Sequence, residues 1–413
     1  MSLKLIRQAL NRHRPPPRMW RAQPLKKRYD VIIIGGGAHG LACAHYLAKD
    51  HGVTDVAVLE KSYIGSGGSG RNTAIIRANY LTPEGVRFYH QSLMLYEDLA
   101  GELDFNVMFS QRGHLTLAHT DGAVRTMRRR AEVNRLQGVD SRLVGPEELA
   151  RLCPHLDLSQ RPRYPILAAL YHPPGGIIRH DAVVWGYAHQ ADTRGIHIHQ
   201  QTEVTGIDAG DGGAVQGVQT TRGYVEAGTV LNATAGWGST IAAMVDLELP
   251  LETFPLQACV TEPLKPFLDT VIVSGSLHVY VSQSDRGELV MGASIDPYAS
   301  YSLNSSLDFL EGIAGHMLEL FPFLGEARIL RQWAGPCEMP PDFSPLMGKT
   351  PVSGFLLDVG WGTYGFKASP ICGKTMAQLI ATGETPDLIA PFRLSRFAEL
   401  DLVGEKGAAS VGQ

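Results

Sequence analysis

The chain has 413 residues, more than one ordinary hydrophobic core accommodates, so two domains are expected. Hydrophobic residues make up 44% and charged residues 19%, the balance of a folded globular protein. A net charge of −4 argues against a nucleic-acid binder, and no apolar run reaches the ~18 residues of a membrane span. The five cysteines (Cys43, Cys153, Cys259, Cys337, Cys372) are odd in number, widely spaced and without a C-x-x-C pair, which fits a reducing, cytoplasmic setting.

Residues 1–28 carry Lys4, Arg7, Arg12, Arg14, Arg18, Arg21, Lys26, Lys27 and Arg28 and no acid. Pro15, Pro16 and Pro17 break any helix there. The stretch lacks the apolar centre of a secretory signal. It fits a mitochondrial transit peptide, a solvated tail or an arm docking on another subunit, and the arm is the expectation carried forward.

Tyr29 to Lys61 reads YDVIIIGGGAHGLACAHYLAKDHGVTDVAVLEK. Val31 to Ile34 is a β-branched apolar run that ends in glycines, as a buried parallel strand does. Gly35, Gly37 and Gly40 give G-x-G-x-x-G, Ala38 to Ala48 is a helical run, and Val56 to Leu59 is a second strand. Glu60 stands at its end, twenty residues after Gly40, followed by Lys61. Gly35 permits a tight turn, Gly37 lets a pyrophosphate approach the backbone, and Gly40 lets helix and strand pack closely. The N–H groups at the helix start, from Ala38 and His39, face the phosphates with the positive end of the helix dipole. Glu60 can accept from a ribose. Strand, glycines, helix, strand and acid in this order predict dinucleotide binding.

A second glycine-rich loop follows, SYIGSGGSGRNTAIIRANYL. Its Gly68, Ser69, Asn72 and Thr73 are suited to wrap the phosphate and ribityl side of a flavin. Arg77 then lies in an apolar segment, where a charge needs a partner. A substrate carboxylate gripped by two parallel hydrogen bonds is one such partner, and a structural ion pair is the other.

Residues 83–152 read as largely helical, with a strand at 111–120 and an amphipathic helix in DGAVRTMRRRAEVNRLQG whose basic face is expected in solvent. His172 precedes the Pro173-Pro174-Gly175-Gly176 turn and reads as a hydrogen-bonded loop histidine. Asp181 to Gln190 is a helix. IHIHQQTEVTGID gives two strands, the second from Thr202 and containing Val204. His197 and His199 are too few for a metal site and read as surface residues; no metal is expected. The strand Thr229 to Ala233 ends in small residues, a second point of backbone approach. Residues 246–344 alternate as antiparallel strands do, around one amphipathic helix, SLDFLEGIAGHMLELF. The last part holds a strand, a turn containing Gly362 and Gly365, and a helix, with Lys367 where turn and helix meet. A helix start aimed at the pyrimidine side of a flavin stabilises its anionic reduced ring.

Taken together, these stretches resemble the glycine oxidase, D-amino-acid oxidase and sarcosine oxidase family of flavoproteins over essentially all of residues 29–400. GSGGSGRNTAIIRANYL, LYHPPGGIIRHDAVVWGYA and GWGTYGFKASP resemble, within it, the beta subunits of heterotetrameric sarcosine oxidases. The resemblance implies an α/β fold: a Rossmann-like, glutathione-reductase-like FAD-binding domain with an antiparallel-sheet substrate domain. The expected division is a basic arm (1–28), an FAD-binding domain (29–110, 165–245 and 345–395), a substrate domain (111–164 and 246–344) and a C-terminal tail (396–413). It implies non-covalent FAD, and FMN bonded covalently to a histidine, matched here by His172 in YHPPGGII. It implies that Arg77 and Lys367 clamp a substrate carboxylate and that Tyr280 lines the same pocket. Sarcosine is then demethylated to glycine, electrons pass from FAD to FMN and on to oxygen, giving hydrogen peroxide. The one-carbon unit goes to tetrahydrofolate on an alpha subunit or leaves as formaldehyde. The implied partners are alpha, gamma and delta subunits. Two departures stand out. The strand matching the oxygen-activating lysine of single-subunit enzymes offers only Val290 and Met291. Cys337 lies near where those enzymes bond FAD covalently and is expected as a free thiol.

Overall fold

The computed structural model describes residues 10, 18–210 and 213–406. Lys4, Arg7, Arg12, Arg14 and Pro15 to Pro17 of the expected arm lie outside the described residues, as do 407–413 of the expected tail.

Two large sheets organise the chain. The first is six-stranded, in the order Leu346–Lys349, Phe355–Val359, Thr229–Asn232, Val31–Ile34, Val56–Leu59, His197–His199. All pairs are parallel except that of Leu346–Lys349 with Phe355–Val359. Its strands Val31–Ile34, Val56–Leu59 and Phe355–Val359 are largely apolar and buried on both faces, as a parallel sheet covered by helices demands. The helices Ala38–His51 and Ser369–Thr382 cross very closely: a Cβ on Gly373 would lie 2.5 Å from Ala42 Cβ and 2.6 Å from its carbonyl carbon. Only small residues at the crossing allow that approach.

The second sheet is eight-stranded: Ile329–Met339, Glu252–Pro263, Glu288–Ile295, Val279–Gln283, Val271–Ser274, His114–Ala118, Ala168–His172, Arg142–Val144. It is antiparallel apart from Val271–Ser274 beside His114–Ala118. Ala168–His172, expected with the nucleotide-binding part, pairs in this sheet instead, because its partners are His114–Ala118 and Arg142–Val144. Strand alternation sorts its side chains. Leu115, Leu117, Ile272, Val279 and Val281 join a core under the helix Leu307–Leu320, and the residues between them face the other way.

Residues 18–28 of the expected arm make contacts within the chain, Arg21 pairing with Asp192 at 3.0 Å and Lys26 with Asp55 at 2.6 Å. Several other expectations are corrected by packing. His199 is not a surface residue, and His197 is only partly exposed. Both meet the Tyr29 hydroxyl at 3.0 Å, and His199 is 2% exposed. The second strand of that pair begins at Val204 rather than Thr202. The helix Asp121–Leu136 does not leave its whole basic face in solvent; Arg130 is buried and donates to the Asn79 carbonyl. The C-terminal stretch is no loose tail up to residue 406. Glu405 is buried and accepts from the Leu81 and Thr82 amides, at 3.1 and 2.8 Å. No helix among the described residues is long and apolar enough to cross a membrane.

Arg396 is fully buried and forks onto Asp342 at 2.8 and 2.9 Å, with the Ser344 and Phe392 carbonyls at 2.8 and 3.0 Å. Removing one partner of a buried pair leaves the other charged and dry. Arg396→Ala is expected to cost about 3–5 kcal/mol of stability, and Arg396→Met with Asp342→Leu clearly less. Urea unfolding of the three proteins checks this.

Candidate active site

A cavity of about 310 Å³ runs from the end of the first strand to the inner face of the eight-stranded sheet. Gly35, with φ +112°, turns the chain there, and a Cβ on it would lie 2.4 Å from the Ala233 carbonyl oxygen. A Cβ on Gly40 would lie 2.1 Å from Gly35 O. At Gly37 an added Cβ would meet only the Ser69 hydroxyl, at 3.0 Å, so the groove above the helix start stays open. Ala38 and His39 line it. Glu60 is held at the strand end, accepting from the Gly36 and Ser62 amides at 2.9 and 2.8 Å. Lys61 lies over the Trp237 ring at 3.7 Å, and Val204 completes this end.

Gly68, Ser69, Asn72 and Thr73 form the next wall. Ser69 accepts from the Ala38 amide at 2.9 Å, which ties this loop to the helix start. Asn72 accepts from the Ala74 amide at 2.6 Å, where the chain turns through φ +55°. Opposite, Gly362 and Gly365 line the cavity. His39 bridges the two sides: Nδ1 meets both Asp358 oxygens at 3.1 Å and Nε2 meets Gly365 O at 2.8 Å. Burial alone would lower its pKa, but the Asp358 charge and hydrogen bond outweigh that and raise it. Among the described residues His39, Asp358 and Cys372 are the one cluster with metal-ligand chemistry. With both imidazole nitrogens already committed, it is a hydrogen-bonded clamp rather than a metal centre.

The far end holds the expected substrate residues. Arg77 is 7% exposed, donates to Asn79 O and Oδ1 at 3.0 Å, and stacks 4.4 Å from the Tyr80 ring. Lys367 donates to Thr363 O at 3.1 Å and lies 5.7 Å from the Tyr364 ring, which Arg77 also approaches, at 6.0 Å. Burial, and then the Arg77 charge, bring the Lys367 pKa down to about 7. Tyr280 points from its strand into the same space and faces Thr73; burial raises its pKa. Cys337 lines the cavity as a buried free thiol, its pKa pushed up to about 12 by burial.

His172 does not belong to this cavity. Its ring is 0% exposed, Nδ1 donates to Asp140 O at 2.6 Å, and Nε2 accepts from the Ala78 amide at 3.2 Å. Both nitrogens are spent inside the protein, which leaves none for a covalent bond to a flavin. His180, at the start of the helix His180–Thr193, is partly exposed and sits edge-on to Phe366, 6.4 Å between centroids. Phe366 is itself part of the cavity wall, between Gly365 and Lys367. Sequence reasoning passed over His180, and also over His114, Asp358 and Tyr364. For His114 a signal existed, since it alternates with Leu115 and Leu117 and so must face away from their core.

Comparison with known proteins agrees with the geometry. The family model for FAD-dependent oxidoreductases matches residues 30–379. The sarcosine oxidase subunit beta of an Arthrobacter species is 46% identical, covering 96% of this chain and 98% of that protein. That of Rhizobium meliloti is 46% identical, covering 98% and 97%. Among solved structures, L-proline dehydrogenase from P. horikoshii superposes with a TM-score of 0.85 at 30% identity, covering 92% of this chain and 100% of that one. Glycine oxidase from Geobacillus kaustophilus gives 0.81 at 25% identity, covering 90% and 99%.

Proposed function

Because the chain belongs to the FAD-dependent oxidoreductase family, and within it to the sarcosine oxidase beta subunits, we propose that it oxidises sarcosine as one subunit of a heterotetramer with alpha, gamma and delta partners. It is a flavin-dependent oxidoreductase acting on CH–NH donors. The observation that carries the substrate reading is the meeting of Arg77 and Lys367 at one buried end of the cofactor cavity.

The groove fits FAD. Its turn tolerates no side chain at Gly35 or Gly40, lies open above Gly37, and ends on an acid, Glu60. Ala38, His39, Ser69, Asn72 and Thr73 would hold the pyrophosphate and ribityl chain, Glu60 and Lys61 the ribose end, with Val204 beside them. Gly362, Gly365 and Lys367 would border the ring. FAD supplies a two-electron acceptor there. The protein's part is to bind and orient. Arg77 and Lys367 grip the carboxylate, Tyr280 closes the pocket, and the walls exclude water; fixed orientation is a large share of such catalysis. The net reaction is sarcosine, oxygen and water to glycine, formaldehyde and hydrogen peroxide, with tetrahydrofolate on the alpha subunit taking up the one-carbon unit in place of its release. We assign the six-stranded sheet and its helices to the FAD-binding domain and the eight-stranded sheet to the substrate domain. Five buried free thiols support a reducing compartment.

A covalently tethered FMN needs an imidazole that is reachable from outside and close to the FAD cavity. His180 meets both conditions, whereas His172 lies near the cavity but is fully buried with both nitrogens bonded, so the anchor we propose is His180.

Anaerobic mixing of the assembled complex with sarcosine is expected to bleach the flavin spectrum; an unchanged spectrum removes the enzyme reading. After acid precipitation, yellow colour is expected to stay with wild-type protein and with His172→Ala but to wash out of His180→Ala. Colour lost entirely from wild type would instead favour an FAD-only oxidase.

Lys367 also gives a pH dependence. Below pH 7 it is charged and the pocket offers two cations, and a bound carboxylate raises its pKa further. Acetate, read by its perturbation of the flavin spectrum, is expected to bind most tightly below pH 7 and progressively more weakly above it. Lys367→Met is expected to bind it weakly and without that slope.

A further inference from the structure

His114 is a buried, unassigned group facing the substrate end. It opens the strand His114–Ala118, is 1% exposed and lines the cavity. Neither Nδ1 nor Nε2 has a hydrogen-bond partner among the described residues. The buried rings of His45, His119, His172 and His199 each have at least one partner. A buried polar atom left unpaired is destabilising, so a ring placed this way is stabilised when something in the cavity pairs with it.

Its surroundings fix its form. Burial, then chiefly the Arg77 charge, with Arg130 and Lys367 adding to it, hold its pKa well below the usual histidine range. The ring is therefore neutral, with one N–H donor and one lone pair. Sheet register fixes its place: it stands opposite Val271 on one side and His172 on the other. Val273 and Tyr280, on neighbouring strands, face the same cavity.

We propose that His114 contacts the substrate directly, its ring lone pair accepting the amine N–H, and that this contact sets a preference for secondary over tertiary amines. The inference rests on the carboxylate-clamp reading above. With the carboxylate taken by Arg77 and Lys367, the polar group left on an N-methyl amino acid is its amine. Two nearby cations disfavour an ammonium ion, so the amine is held neutral after its extra proton leaves to solvent. A neutral secondary amine has one N–H. Once His114 accepts it, the nitrogen lone pair stays free to support oxidation of the adjacent C–H bond. A tertiary amine has no N–H and would leave the imidazole unpaired, the situation in which a polar site discriminates strongly.

The test uses holoenzyme reduced beforehand with dithionite, so that binding is read without turnover. Equilibrium dialysis of sarcosine, N,N-dimethylglycine and acetate is compared across wild type, His114→Leu and His114→Gln. His114→Leu is expected to weaken sarcosine ~10-fold or more while acetate and dimethylglycine stay within about twofold, and His114→Gln, which keeps an acceptor, to recover part of the loss. Unchanged sarcosine affinity in His114→Leu, or an equal loss for all three ligands, would overturn the contact. Sarcosine that binds with this dependence yet fails to bleach the oxidised enzyme overturns the oxidase reading and leaves the contact standing.

Discussion

Where the first strand ends, the backbone meets itself. A Cβ on Gly40 would sit 2.1 Å from the Gly35 carbonyl oxygen, and a Cβ on Gly35 would sit 2.4 Å from that of Ala233. Much of the site hangs on these two contacts. They let the helix Ala38–His51 start directly off the strand, beside the groove that Ala38 and His39 line. The same helix then accepts Gly373 against Ala42, which draws in the helix Ser369–Thr382 and the turn before it. His39 locks that arrangement by joining Asp358 to the Gly365 carbonyl. Lys367, two residues on, is thereby delivered to the cavity.

The other wall is built on a different rule. The eight-stranded sheet sorts residues by alternation, sending Leu115, Ile272 and Val281 to its own core and His114, Val273 and Tyr280 to the cavity. Tyr280 is held in place by Gly292 opposite, where a Cβ would lie 2.4 Å from its hydroxyl. Cations accumulate on this side. Arg77 and Arg130 share the Asn79 carbonyl, and burial followed by Arg77 lowers the Arg130 pKa to about 9. Such a pocket favours an anion, and neighbouring groups that stay neutral complete it without adding charge.

Buried histidines illustrate how position decides role. His39 faces acceptors on both nitrogens and is held toward its charged form. His172 is a neutral strut whose pKa burial lowers to about 4. His114, directly across the strand pair from His172, faces the cavity unpaired. The three rings have the same chemistry, and the backbone beneath each assigns its task.

The sequence by itself determined the nucleotide-binding unit. Its strand, glycines, helix and acid follow one another closely in the chain, so local pattern was enough to place Gly35, Gly37 and Gly40 at the turn and Glu60 at the end of the next strand. Alternation likewise marked 246–344 as an antiparallel region, which holds five of the eight strands of the second sheet. Distant pairings were legible only through family resemblance, as with Arg77 and Lys367. The tertiary structure alone decided which side chains were already spent: His172 inside, His197 and His199 on Tyr29, Arg130 on Asn79, Arg396 on Asp342. Partnership across long sequence separation depends on where the chain folds back, and no local pattern encodes which hydrogen-bonding atoms are left over when it does.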